Sequence, residues 1–254
     1  MKLARFMVGN EIKFGVVEEE VVMEIQGDLF GDHLPTGVTY PLVEIKLLSP
    51  VTPGKMIAVG LNYKAHAEEK QKDLPDEPMV FMVSPTAIVG PGDEVVLPYD
   101  HLVEHEAELV AVIGREGRDI PEENALDYVL GYTCGNDVSD RELQKKDRQF
   151  TRAKSFHTFK PLGPYLASGL DPGDLKIQCW LNGKLKQDST TALFIHSVAK
   201  LISFTSQIMT LYPGDVIFTG TPAGVSPIRD GDVMEVYVEG VGVLTNPVVM
   251  KNTR

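Results

Sequence analysis

The feature that most constrains what this chain can fold into is a turn that occurs four times. "GPGDEVVLP", "DPGDLKIQCWLNGK", "YPGDVIFTGTPAGV" and "RDGDVMEVYVEGVGVLTNPVV" each place a Pro-Gly-Asp or Asp-Gly-Asp step before a run of alternating residues. Glycine and aspartate suit the tight reversal, and a period of two buries one face of the strand that follows. These are similar turns, not true repeats, and they predict an α+β protein dominated by β-structure. Helical patterns are fewer. "NYKAHAEEKQK" is short and polar, and "PEENALDYVLG" is one amphipathic turn. "STTALFIHSVAKLISFTSQIMTL" is the best helix, with Leu193, Val198, Leu201, Ile202 and Ile208 near a 3.6-residue period.

Upstream, "EIKFGVVEEEVVMEIQGD" reads as short strands parted by an acidic turn, and "LFGDHLPTGVTYP" as a loop. The Pro-Gly step in "LLSPVTPGK" marks a boundary. A small N-terminal β-domain is expected over 1–50, and a larger unit over 51–254 that opens with the buried strand "MIAVG". The net charge of −12 argues against nucleic acid and anionic membranes, both of which demand a positive surface. No run approaches the roughly 18 apolar residues of a membrane span. Charges interrupt "MKLARFMVGNEIKFGVV" too often for a signal peptide. Cys134 and Cys179 form no CxxC, which fits a reducing, cytoplasmic setting without a zinc site or disulfide.

Three clusters carry chemistry. In "LVEHEAELVAVIG", Glu106 and Glu108 are two apart, so on a strand both carboxylates share a face at the mouth of a buried run. "GYTCGNDVSDRELQ" delivers Asp137 at the end of an apolar strand, before a helix beginning near Asp140. Three oxygen donors without Cys or paired His select hard ions, Mg²⁺ first, with Mn²⁺ or Ca²⁺ possible. The alternative is a solvated strand face with Asp137 capping a helix, and spacing alone favours it. In "VGLNYKAHAEE", Asn62 is available as an N-cap, while His66 and Glu69 share a helix face and can pair as a general base and its carboxylate. In "DRQFTRAKSFHTFKPLGPYL", Lys154 lies among Phe150, Phe156 and Phe159, either holding an anion or snorkelling over the rings.

Together, "GLNYKAHAEE", "EHEAELVAVIG", "GYTCGNDVSDRELQ", "FTRAKSFHTFKPLGP", "LYPGDVIFTGTPAGV" and "GDVMEVYVEGVGVLTNPV" resemble the fumarylacetoacetate hydrolase family. The resemblance is to its small acylpyruvase and 2-hydroxyhepta-2,4-diene-1,7-dioate isomerase branch, in order over about residues 55–250. It implies a mixed β-roll and a homodimer. It also implies Mg²⁺ or Mn²⁺ on Glu106, Glu108 and Asp137, a catalytic set of His66, Glu69 and Lys154, and a substrate pocket that includes Asn62, Gln144 and Thr221. The implied reaction is C–C cleavage of a short 2-oxo or 2,4-dioxo acid, of the acylpyruvate hydrolase or oxaloacetate decarboxylase type. Dienol isomerisation is the alternative, and a non-catalytic 2-oxo acid binder a third reading. Two departures stand out: Val83 where many relatives carry lysine, and His157 where aspartate is frequent. Neutralising Glu106 or Asp137 is expected to weaken the ion without cost to the fold.

Overall fold

The computed structural model describes residues 1–27 and 29–251. Asp28, at the end of the N-terminal strand pattern, and residues 252–254 of the second unit lie outside the described residues. All four turns lead into strands: Val95–Leu97, Lys176–Leu181, Val216–Phe218 and Val233–Val238. The aspartate closes three of them by accepting a backbone N–H three residues back. Asp93 accepts from Gly90 at 2.9 Å, Asp215 from Tyr212 at 2.8 Å and Asp232 from Arg229 at 2.8 Å. Gly214 and Gly231 supply the left-handed backbone these reversals require, at φ +88° and +83°.

One large sheet runs in the order His33–Pro41, Val21–Gly27, Glu11–Glu18, Lys2–Val8, Lys160–Ala167, Val129–Asn136, Ala107–Ile113, Val216–Phe218, Met56–Gly60 and Met79–Val83. A second sheet packs Lys184–Thr190, Lys176–Leu181, Val233–Val238, Gly242–Met250 and Val95–Leu97. Ala107–Ile113 is buried on both faces. Leu109, Ala111 and Ile113 meet the second sheet through Ile177, Val236 and Val238, with Leu201 and Ile202 of the helix Val198–Ile208. Val110 and Val112 face Met56, Phe218, Leu162 and Leu166 on the other side. Glu106 and Glu108 continue that second row. The acids therefore stand at the head of a core face.

Two expectations are corrected. "LFGDHLPTGVTYP" is no loop: His33–Pro41 is a strand paired with Val21–Gly27, and it ends the sheet, where prolines cost no ladder bond on the free edge. The best helix is shorter than its pattern, Val198–Ile208 with Ser197 as N-cap. Leu193 is exposed because Thr191–Leu193 is a separate 3₁₀ turn, and Ile208 is exposed at the helix's last position. The N-terminal β-domain also shares its sheet with the rest, Lys2 opposite Ala167 and Leu3 opposite Leu166. Its Leu3, Ile25 and Leu29 complete the core around Phe218.

Among the described residues no helix is long and apolar enough to cross a membrane. Cys134 and Cys179 are both free and fully buried, and burial pushes each thiol up to about 12. Ellman's reagent at pH 8 is expected to label neither until the protein is unfolded. Fast labelling of either in the native protein would contradict the core assignment.

Candidate active site

The antiparallel register sets Ala107 opposite Asn136, so the residues just beyond, Glu106 and Asp137, lie side by side. Asp137 donates its N–H to the Glu106 carbonyl at 2.9 Å, and the Asn136 side chain accepts from Glu106 N–H at 2.9 Å. Glu108 follows on the same face as Glu106. One ligand oxygen from each of Glu106, Glu108 and Asp137 lies within 4.8 Å of the others, and all three residues are buried. A solvated strand face is thereby excluded. The helix Arg141–Asp147 is capped by Asp140, which accepts from Leu143 N–H at 2.9 Å, so Asp137 is left for the cluster.

Buried cations brace the acids. Lys154 at the end of Thr151–Lys154 donates to Glu106 at 2.8 Å and to Asp137 at 2.6 Å. Arg141 bridges Glu106 and Glu104 at 2.5 and 2.6 Å. Burial pushes the Glu106 carboxyl up, but Lys154 and Arg141 outweigh it and hold it well below the usual carboxylate range. Glu108 behaves oppositely. Its burial, with Asp137 and Glu106 adjacent, raises it well above that range, although Gly220 N–H donates to it at 2.7 Å. Burial lowers the Lys154 ammonium, but Asp137 and Glu106 more than compensate, and it stays charged.

Lys160 is fully buried with its Nζ 2.7 Å from Asp137 Oδ1. It also donates to the carbonyls of Val138 and Phe159, at 3.1 and 2.9 Å. Three buried carboxylates, one of them a glutamate that resists ionising, are what a further cation would relieve. The donor set, three oxygens and no sulfur or imidazole, suits Mg²⁺ or Mn²⁺.

His66 faces the same space from the helix Lys64–Glu69. Its Nδ1 pairs with Glu69 Oε2 at 2.9 Å, and Glu69 Oε1 accepts Gly224 N–H at 3.1 Å. Burial lowers the His66 imidazole despite the acids nearby, favouring its neutral form. A cavity of about 510 Å³ joins His66 to Glu106, Lys154, Gln144 and Thr221. Gln144 accepts from Arg141 at 2.8 Å, and Thr221 donates to the Ala107 carbonyl at 2.8 Å.

Asn62 is placed differently. The helix N-cap is Tyr63, and Asn62 is fully buried behind it. Its side chain donates to the carbonyls of His196 and Thr219, at 3.0 and 2.8 Å, and accepts from His196 N–H at 2.8 Å. It ties loops together away from the cavity wall. Neither departure reaches the wall: Val83 is buried in the core, and His157 is exposed against the Thr86 carbonyl at 3.2 Å. Arg141, Lys160 and Gln187 were missed. Arg141 follows the Asp140 cap signal by one residue and could have been read from it, whereas nothing local marks Lys160 or Gln187.

The chain belongs to the fumarylacetoacetate hydrolase family. Residues 55–249 match the model described as fumarylacetoacetate (FAA) hydrolase C-terminal, and residues 1–50 match one described as Rv2993c-like, N-terminal. Among solved structures it is similar to the 5-carboxymethyl-2-hydroxymuconate delta-isomerase of Mycobacterium smegmatis, at 45% identity and TM-score 0.93, over 99% of this chain and 100% of that one. It is also similar to a maleylpyruvate hydrolase from Sphingobium sp. SYK-6 in complex with manganese and pyruvate, at 30% identity and TM-score 0.84, over 99% and 100%. Bos taurus oxaloacetate tautomerase FAHD2B, mitochondrial, is 42% identical over 82% of this chain and 71% of its own length. The chain is a metal-dependent enzyme of this family.

Proposed function

We propose that the enzyme moves a proton between carbon and oxygen of a short 2-oxo dicarboxylic acid, as an isomerase or keto–enol tautomerase. The observation that carries this is the meeting of one base, His66, with Glu106 of the acid triad and with Lys154 in one cavity, part of whose wall is apolar: Val59, Leu61, Met79, Phe81 and Phe150. Proton transfer along a bound 2-oxo acid needs a single base beside the carbon.

Glu106, Glu108 and Asp137 would hold a divalent ion, which would supply Lewis acidity toward a 2-oxo acid. Glu69 accepts from His66 Nδ1–H, which leaves Nε2 free to take a proton and steadies the imidazolium that forms. Lys154 uses two of its three N–H donors on Glu106 and Asp137, and the third is available to a substrate oxygen. The names of the isomerase and tautomerase relatives support this reading over C–C cleavage. Cleavage stands second, favoured by the more distant maleylpyruvate hydrolase.

The test follows absorbance of enol-oxaloacetate and 5-carboxymethyl-2-hydroxymuconate with Mn²⁺ and with EDTA, beside pyruvate release from an acylpyruvate. Metal-dependent tautomerisation faster than cleavage is expected. Pyruvate release without tautomerisation would overturn the proposal. The polar segment after Glu69 carries Lys70 and Lys72 into the cavity wall and has neither helix nor strand until Met79. Oxalate with Mn²⁺ is expected to slow tryptic cleavage there several-fold. Equal cleavage with and without them would rule out closure over a ligand.

A further inference from the structure

Ala107 separates the two ligand glutamates, and its backbone groups are held in an unusual way. The ladder to Val216–Phe218 starts only at Val110. Side chains take over at Ala107: its N–H donates to Gln187 Oε1 at 3.0 Å, and its carbonyl accepts from Thr221 Oγ1 at 2.8 Å. Gln187 Nε2 then donates to Thr221 Oγ1 at 2.8 Å and closes the ring. It also donates to the Pro222 carbonyl at 2.8 Å, and Gln187 is fully buried.

A β-bulge puts Gln187 there. Cys179 pairs with Gln187 but Trp180 with Leu185, so Lys186 is the extra residue and the next side chain is turned inward. The loop beyond Phe218 lies flush on that bulge: a Cβ on Gly224 would sit 2.1 Å from the Lys186 carbonyl oxygen. This loop serves both halves of the site. Gly220 N–H holds Glu108 at 2.7 Å, and Gly224 N–H holds Glu69 at 3.1 Å.

We infer that Gln187 is a positioning residue that locks the loop from Thr219 to Gly224 to the Ala107 peptide, and so sets the metal ligands and the His66–Glu69 pair in one frame. The inference rests on the metal-dependent reading of the site. Gln187→Met keeps the length of the side chain and removes every hydrogen bond. It is expected to weaken Mn²⁺ binding, read by electron paramagnetic resonance, about tenfold or more. Thr221→Val should lose a similar factor, Thr221→Ser should retain binding, and the Gln187→Met and Thr221→Val losses should not add when combined.

A role confined to packing would lower the melting temperature and leave Mn²⁺ affinity alone. Wild-type affinity in Gln187→Met, or additive losses in the double variant, would overturn the inference. If Gln187→Met does not fold, the Thr221→Val and Thr221→Ser pair decides: equal affinities overturn it. Glu108→Gln is measured alongside. Wild-type Mn²⁺ affinity there would show that the metal reading itself has failed.

Discussion

Glu108→Gln is expected to lose Mn²⁺ and all metal-dependent turnover while raising the melting temperature of the metal-free protein. Glu108 is the acid whose ionisation burial, Asp137 and Glu106 jointly resist, and among the described residues no lysine or arginine forms an ion pair with it. A neutral isostere removes a donor and relieves that repulsion, by about 2–4 °C for each kcal/mol gained in a chain of this size. The loss in affinity should exceed the roughly 10–100-fold that follows removal of a mere supporting partner. Asp137→Asn and Glu106→Gln should also lose the ion, but at a cost in stability. Asp137→Asn takes one of two carboxylates from Lys154 and leaves the buried Lys160 without its ion-pair partner, at about 3–5 kcal/mol, whereas Glu106→Gln costs less because Lys154 keeps Asp137 and Arg141 keeps Glu104. This revises the expectation that those two substitutions spare the fold. Calorimetric titration with Mn²⁺ and melting curves in EDTA check all three, and a stabilised Asp137→Asn would refute the pairing.

His66→Ala should lower kcat roughly 10²–10⁴-fold with little change in KM or oxalate affinity, as removal of a general base does. Glu69→Gln should act in the same direction more mildly, since it takes away orientation and leaves the imidazole. A raised KM at unchanged kcat would make His66 a binding residue instead. The pH profile carries a sign. Burial lowers His66 from its ordinary 6.5, and the proposed base works in its neutral form. The acid limb of kcat/KM therefore falls below pH 6.5, activity being full above it and lost as the imidazole gains a proton. An acid limb above 6.5 would show the neighbouring acids prevailing over burial.

The acids were legible because their pattern is local. A Glu-x-Glu at the mouth of a strand buried on both faces, and an aspartate at the end of another apolar strand, both follow from period-two alternation. Their meeting depends on register, which family resemblance suggested and the Ala107–Asn136 pairing supplies. His66 and Glu69 were readable for the same reason, being three apart on one helical turn. The cations were not. Lys160 sits in a strand as a charge that composition places outside, and its ion pair with Asp137 and its bonds to the Val138 and Phe159 carbonyls account for its burial. Gln187 lies 80 residues from Ala107 and points inward only through a bulge. The strand His33–Pro41 was lost to its prolines, which speak against a strand only where neighbours flank it on both sides.

The shared sheet also dictates an order of events while the chain is being made. The hairpins within residues 2–41 are local and can pair as soon as they leave the ribosome. Leu3, Ile25 and Leu29 cannot be covered then, because their partners include Leu162, Leu166 and Phe218. An apolar face thus waits, open, through the synthesis of most of the catalytic unit, and that interval is where chaperone help and slower translation should most improve the yield of native enzyme.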